Sequence, residues 1–340
     1  MKAFHLISAA KLSERPGPPL YENQFFMRQF LKLLVSVILI VFAIYLLDIQ
    51  TIIKTIRSGS AESFIVAVIL NILAFFVMGL RWYILIRPVV RFPFLTHMAV
   101  YFRGTFLNTF TPANLGGDAY RLAVLRKNAG SNGEVVKLLL RERIIGFYGY
   151  VIVFIGAYIF VLSSADFNPP LAGNPYTYGV IVAVGVLLLP FVARRLGTGF
   201  VSITRKIIGR RRLPKLESYA EILADLLALK GMLPLILITF CGVVLWVISI
   251  KIIAEGFGLS VPLTHIATVA TLVEIIRLVP VTIQGIGLRE GAFAYLLAFL
   301  GHNPEQCYVV GTVAYLALSV AIIFSGPVGQ ATMWRERSKV

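Results

Sequence analysis

Charge is scarce in this chain. Only 14% of its 340 residues are charged, against about 25% in soluble domains. Hydrophobic residues make up 58%. A soluble fold of this length has too little polar surface to cover so large an apolar content. That excludes an ordinary soluble enzyme and points to long apolar runs in a membrane. Acidic residues are the scarcest charges: 16 Asp and Glu stand against 32 Lys and Arg, a net charge of +16. In a membrane chain that excess first serves orientation and contact with anionic lipid, so nucleic acid is not expected as a partner. There are two cysteines, Cys241 and Cys307, and no CxxC. A disulfide framework or zinc site is not expected. The four histidines, His5, His97, His265 and His302, form no ligand-spaced pair. Walker A, HExxH and GxSxG motifs are lacking. Neither cofactor nor metal is expected, and no catalytic residue is assigned. No cleavable signal is expected at the N-terminus, since its apolar run is short and interrupted by His5.

What is present is apolar sequence in long blocks. A spanning helix needs about 20 apolar residues. Six blocks qualify: 30–47, 63–86, 144–163, 178–192, 233–254 and 308–324. Two further apolar regions, 98–125 and 263–300, are interrupted. The first breaks at Pro112 and Gly116-Gly117, the second at Pro280 and around Gly285 and Gly287. Their arms are too short to cross. Non-helical backbone at membrane depth survives only inside protein or beside a watery cavity. Both regions are therefore expected to be re-entrant helical hairpins. The fold expected is an all-α polytopic membrane protein, with six spanning helices and two hairpins.

Loop charge sets the orientation. Residues 194–230 carry nine Lys and Arg, residues 111–143 carry six, and the tail adds Arg335, Arg337 and Lys339. Residues 164–176 and 256–262 carry none. The positive-inside rule puts the basic loops and both termini in the cytoplasm, with the chain in the cytoplasmic (inner) membrane. Residues 1–29 and 331–340 are expected as cytoplasmic tails around a transmembrane domain over 30–330. Residues 213–230 are expected as an amphipathic helix on the cytoplasmic surface.

The two breaks share a pattern. Pro112, Gly117 and Arg121 follow P-x4-G-x3-R, and so do Pro280, Gly285 and Arg289. The offset is 168 residues. Two helices, a hairpin and one helix occur, then the same order again. An odd number of crossings per half inverts the second half, the signature of an inverted-topology repeat with a site near the midplane. The halves are about 30–170 and 178–326, joined through 171–177.

Ionisable residues gather at these breaks. Arg103, Asn108, Asp118, Arg121, Glu142 and Arg143 lie near the first; Glu274, Arg277, Gln284, Arg289 and Glu290 lie near the second. A charge at the bilayer centre costs roughly 2.5–3.5 kcal/mol even on a lenient scale, so their placement asks for a function. Each has a plainer role beside it. Glu142-Arg143 could snorkel at the interface, Asp118 could cap a helix, and Arg121 could be one more cytoplasmic charge. Glu274, Arg277 and Arg289 could form a structural ion pair. Trp82, beside Arg81, is expected to be an interfacial anchor. On the functional alternative, arginine forks match phosphate in bidentate fashion. Arg103, Arg121, Arg277 and Arg289 then contact a head group. Asp118, Glu142, Glu274 and Glu290 orient them or relay protons, and Asn108 and Gln284 add neutral hydrogen bonds. Glycine-rich breaks let backbone N–H groups face an anion.

At these residues the chain resembles a known family. Arg81-Trp82, FLNTFTPANLGGDAYR at 106–121, the following Glu142-Arg143, and LVPVTIQGIGLREGAF at 278–293 are similar to the transmembrane region of lysylphosphatidylglycerol synthases and their stand-alone, flippase-like relatives. The resemblance covers roughly residues 30–330. It implies movement of a polar or anionic-headed lipid: a phospholipid, a polyprenyl-phosphate-linked glycan or a hopanoid type. The bifunctional members carry a soluble synthase domain after this region. The chain ends at Val340, so lysyl transfer is not expected of it. The expected partners are membrane lipids, with a lipid-synthesis enzyme as a further candidate. Two alternative readings are an intramembrane lipid-modifying enzyme, with Glu274 or Asp118 as base, and an accessory subunit of a lipid or glycolipid synthase.

Overall fold

The computed structural model describes residues 49–337 except 110, 112–114, 127, 130–131, 164–173, 186, 189–230, 278–281 and 283–284. Among the described residues the chain forms ten helices and no strand. They are α1 Ile49–Ser58, α2 Ala61–Ile86, α3 Phe94–Thr109, α4 Gly116–Leu125 and α5 Asn132–Ser163. After them come α6 Pro175–Gly185, α7 Leu233–Gly256, α8 Leu263–Ile276, α9 Leu288–Phe299 and α10 Pro304–Arg337.

Four of these are long and apolar enough to cross a membrane: α2, α5, α7 and the Pro304–Pro327 part of α10. Of the expected spans, 30–47 lies outside the described residues, and 178–192 is described only in part. The amphipathic helix expected over 213–230 and both tails through 29 and from 338 also lie outside them. Helix α5 begins a dozen residues before the expected 144. Its early turns carry charge, but Val135, Leu138, Leu139 and Glu142 recur on one buried side, which is helical spacing. The interrupted regions form short helices. Helices α3 and α4 have 16 and 10 residues, and α8 and α9 have 14 and 12. At 1.5 Å per residue each is at most about 24 Å long, short of the roughly 30 Å hydrocarbon core.

Helices α2 and α7 run antiparallel at the centre. Ser60 N–H donates to the Gly256 carbonyl at one end (2.9 Å). Asn71 Nδ2 donates to Ser249 Oγ (3.2 Å) further along, and Arg81 Nη1 to Thr239 Oγ1 (3.0 Å) near the other end. Around this pair, α3 packs on α10 and α8 on α5. In the same way α2 packs on α10 and α7 on α5. One apolar core links α5, α7, α8, α9 and α10. A smaller one gathers Trp82, Ile86, Tyr101, Leu125 and Ile145. Large apolar side chains also point outward, among them Ile65, Ile69 and Leu73 of α2, Phe160 of α5 and Phe324 of α10. Such a band suits hydrocarbon rather than water.

Candidate functional site

Helices α3 and α4 pack as one pair and α8 and α9 as another, here the first and second hairpin, and a glycine stands at the start of the second helix of each. In the first, Gly117 N–H donates to Asn108 Oδ1 (2.7 Å) and Gly116 N–H to Thr111 Oγ1 (2.8 Å). The end of α3 thus satisfies the free amides that open α4. A Cβ on Gly117 would lie 1.9 Å from the Gly104 carbonyl oxygen, so the helices approach there at backbone distance. In the second, Gly285 and Gly287 both take φ of 80°, a conformation glycine adopts without strain. Gly287 N–H then donates to Glu290 Oε2 (2.8 Å), fixing the start of α9. Pro112, Pro280 and Gln284 lie outside the described residues.

Both hairpins reach one cavity of about 550 Å³. From α3 come Thr105, Asn108 and Thr109; from the second hairpin come Glu274, Arg277, Ile286, Arg289 and Glu290. All four long helices contribute residues near their middles: Asn71 and Phe75 of α2, Tyr150 of α5, Val243 and Trp246 of α7, and Tyr315 and Leu316 of α10. The cavity therefore sits at mid-depth of the helical body. Ile286, Thr312 and Leu316 line it and are also exposed at the surface, which gives it a side mouth beside α10.

Its polar wall is built around Glu274. Arg277 Nε donates to Glu274 Oε2 (2.9 Å), and Nη2 donates to the same oxygen. Arg289 Nη2 lies 3.3 Å from Glu274 Oε1, and the Arg289 guanidinium rests 4.8 Å from the Tyr315 ring centre. Glu274 is 5% exposed, Tyr315 4% and Asn71 1%. Even so, Arg289 Nε, Tyr315 Oη and Asn71 Oδ1 have no hydrogen-bond partner among the described residues. Buried polar groups are almost always partnered, so three such atoms on residues around one cavity mark a place for a polar guest. The remaining wall is apolar: Phe75, Met78, Trp246, Leu318 and Ile322. Such a space accepts a charged or polar group on one side and hydrocarbon on the other.

The other expected residues assemble elsewhere. Arg121 Nη1 donates to Glu142 Oε2 (2.8 Å), and Arg81 Nη2 to Glu142 Oε1 (3.3 Å). Asp118 lies 3.7 Å from Arg121 and accepts from Arg143 Nε (2.9 Å). The Arg121 guanidinium stacks 4.7 Å from the Trp82 ring centre and 5.0 Å from that of Tyr101. Arg121 and Glu142 are buried while Arg143 is half exposed. Trp82, expected as an interfacial anchor, is 0% exposed: the first hairpin lays Arg121 over its ring. Asp118 is not the cap of α4, which opens at Leu115 without a side-chain cap. Glu142 is a buried counter-ion rather than a snorkelling charge. Arg103 lies over the Tyr120 ring (5.0 Å) beside a small space with Phe106 and Pro327.

The expected residues thus divide. Asn108, Glu274, Arg277, Arg289 and Glu290 line the cavity, while Asp118, Arg121, Glu142 and Arg143 form a separate ion cluster. Asn71, Tyr150 and Tyr315 were not expected. Asn71 is a lone polar group inside an apolar block, and that isolation is its signal in the sequence; Tyr150 and Tyr315 stand among other tyrosines and hydroxyls of their blocks and carry none. Among the described residues no group of three or more His, Cys, Asp or Glu could hold a metal ion.

The family model described as the lysylphosphatidylglycerol synthase TM region matches residues 29–326. Comparison with curated proteins and with solved structures gives no match.

Proposed function

The chain belongs to the lysylphosphatidylglycerol synthase TM region family, and on that premise we propose that it moves a polar or anionic-headed lipid across the membrane. It is a multi-pass membrane protein, with four described helices of spanning length. The head group occupies the cavity at mid-depth and the acyl chains trail through the side mouth into hydrocarbon. The observation that carries this reading is the cavity wall: two guanidiniums share one buried carboxylate, and lining residues carry unpartnered polar atoms. Arginine presents the planar fork that matches a phosphate.

The topology of the proposal is six spans and two re-entrant hairpins in the inner membrane, both termini cytoplasmic. The short lengths of α3, α4, α8 and α9 support the hairpins. An inverted repeat is supported by the packing, in which α3 on α10 has α8 on α5 as its counterpart. It is also supported by the contacts between α2 and α7. Arg81 meets Thr239 and Asn71 meets Ser249. Positions 81 and 249, and positions 71 and 239, each differ by the 168-residue offset of the two breaks. A two-fold axis between α2 and α7 exchanges one contact for the other. Alternating access in such folds comes from one repeat rocking against the other.

Native mass spectrometry of gently extracted protein tests the proposal. The native chain is expected to retain a phosphate-bearing lipid. Arg277→Gln combined with Arg289→Gln is expected to lose it while keeping its helical content. Retention of the same lipid by the double variant would remove the cavity from the account.

A further inference from the structure

The charges at the cavity balance, and that balance has a consequence for anything negative that enters. Arg277 and Arg289 supply two positive charges; Glu274 and Glu290 supply two negative ones. Glu290 is engaged by the Gly287 N–H at the opening of α9 (2.8 Å). Glu274 is the counter-ion of both arginines. Among the described residues, the other polar groups that line the cavity are uncharged, among them Tyr150 of α5, Tyr315 of α10, Asn71 of α2, Thr105 and Asn108 of α3, and Trp246 of α7. A monoanion that takes the arginine forks must displace the Glu274 carboxylate. The site then carries one uncompensated negative charge away from water, which is costly. Among the lining groups, only Glu274 loses its partners in this exchange, and protonation cancels its charge.

We infer that an anionic head group enters by exchanging with the Glu274 carboxylate, which takes up one proton from water as it leaves its arginines. Anion binding and proton uptake are coupled one to one. The step makes one O–H bond on the carboxylate and breaks none in the ligand. It rests on the reading of the cavity as a head-group site, and it supplies a coupling ion for lipid movement. Release on the other side returns the carboxylate to the arginines and discharges the proton there.

Calorimetry on the purified full chain tests this. The probes are dihexanoyl phosphatidylglycerol and its deacylated head, glycerophosphoglycerol. Both are phosphodiesters that carry one fixed negative charge. Binding enthalpies in buffers of different ionisation enthalpy give the protons taken up per anion. One proton per bound anion is expected for the native chain, and none for Glu274→Gln, which should also bind more tightly. Because one proton accompanies each anion, the native Kd should rise about tenfold per unit of pH. That slope needs no variant and decides the matter if Glu274→Gln does not fold. Binding without proton uptake, or a pH-independent Kd, overturns the exchange and leaves the head-group site standing. Binding of glycerophosphoglycerol as tightly as the lipid counts against a lipid cargo and leaves the exchange standing. No binding of either probe overturns both.

Discussion

Arg121 and Arg289 occupy the same place in the shared P-x4-G-x3-R pattern, yet their surroundings assign them different work. Arg121 is closed in by Glu142, Trp82 and Tyr101, while Arg289 lines the cavity. Breaking a buried ion pair costs roughly 3–5 kcal/mol, and because Glu142 keeps Arg81 when Arg121 is lost, the cost belongs at the low end of that range. Arg121→Ala is therefore expected to cost about 3 kcal/mol or more of stability, read by denaturant unfolding in detergent. A loss below about 1 kcal/mol would show that the cluster is dispensable to the fold. The pattern identified both arginines, but not the difference between them. That difference depends on Glu142 and Trp82, which reach Arg121 from other helices. His302, in the turn between α9 and α10, makes a pH-dependent case. Burial lowers its affinity for a proton below the ordinary value of 6.5. The unfolded chain then binds the proton first, so stability is lost as pH falls below about 6.5. His302→Gln should flatten that part of the stability curve, and an unchanged slope would assign it to other groups.

At the scale of helices, apolar blocks were legible where no charge interrupts them, and the interrupted region 263–300 matches the outer ends of α8 and α9 within a residue. The block at 63–86 matches α2 within two residues, because apolar length alone defines a span. The start of α5 was hidden, because charged residues interrupt a helix that buries only one side there. The breaks were legible as proline and glycine. What the glycines permit was not: at Gly117 it is backbone contact between α3 and α4, and at Gly285 and Gly287 a positive φ. Gly117→Ala is expected to part α3 from α4, since its Cβ would lie 1.9 Å from a carbonyl oxygen. Forcing atoms into a packed contact costs typically about 1–3 kcal/mol, and a backbone clash belongs at or above the top of that range. Gly156→Ala is the control, since no atom lies within 4 Å of its Cβ. Equal melting temperatures for the two variants would contradict the close approach of α3 and α4.

At the scale of the whole molecule, the account joins an orientation to a mid-depth cavity. The proposed orientation has residues 194–230 in the cytoplasm and the turn before α8 outside. Asn174, which loop charge alone makes a natural external probe, is buried and donates to Tyr158 Oη (3.2 Å). Ser260, which is exposed, replaces it. Ser260→Cys should react with an impermeant thiol reagent in intact cells, and Ser202→Cys should be shielded; the opposite result would invert the molecule. The central claim is that a lipid head crosses through the cavity on its arginines. The most direct measurement is the movement of a fluorescent anionic lipid in reconstituted vesicles, followed by an impermeant quencher. Native protein should expose inner-leaflet lipid to the quencher faster than protein-free vesicles do. Arg289→Lys keeps the charge but loses the fork. At roughly 1.4 kcal/mol for a charge-assisted hydrogen bond, it should slow movement at least about tenfold while remaining folded. Native vesicles no faster than protein-free ones, or full activity in folded Arg289→Lys, would contradict the account.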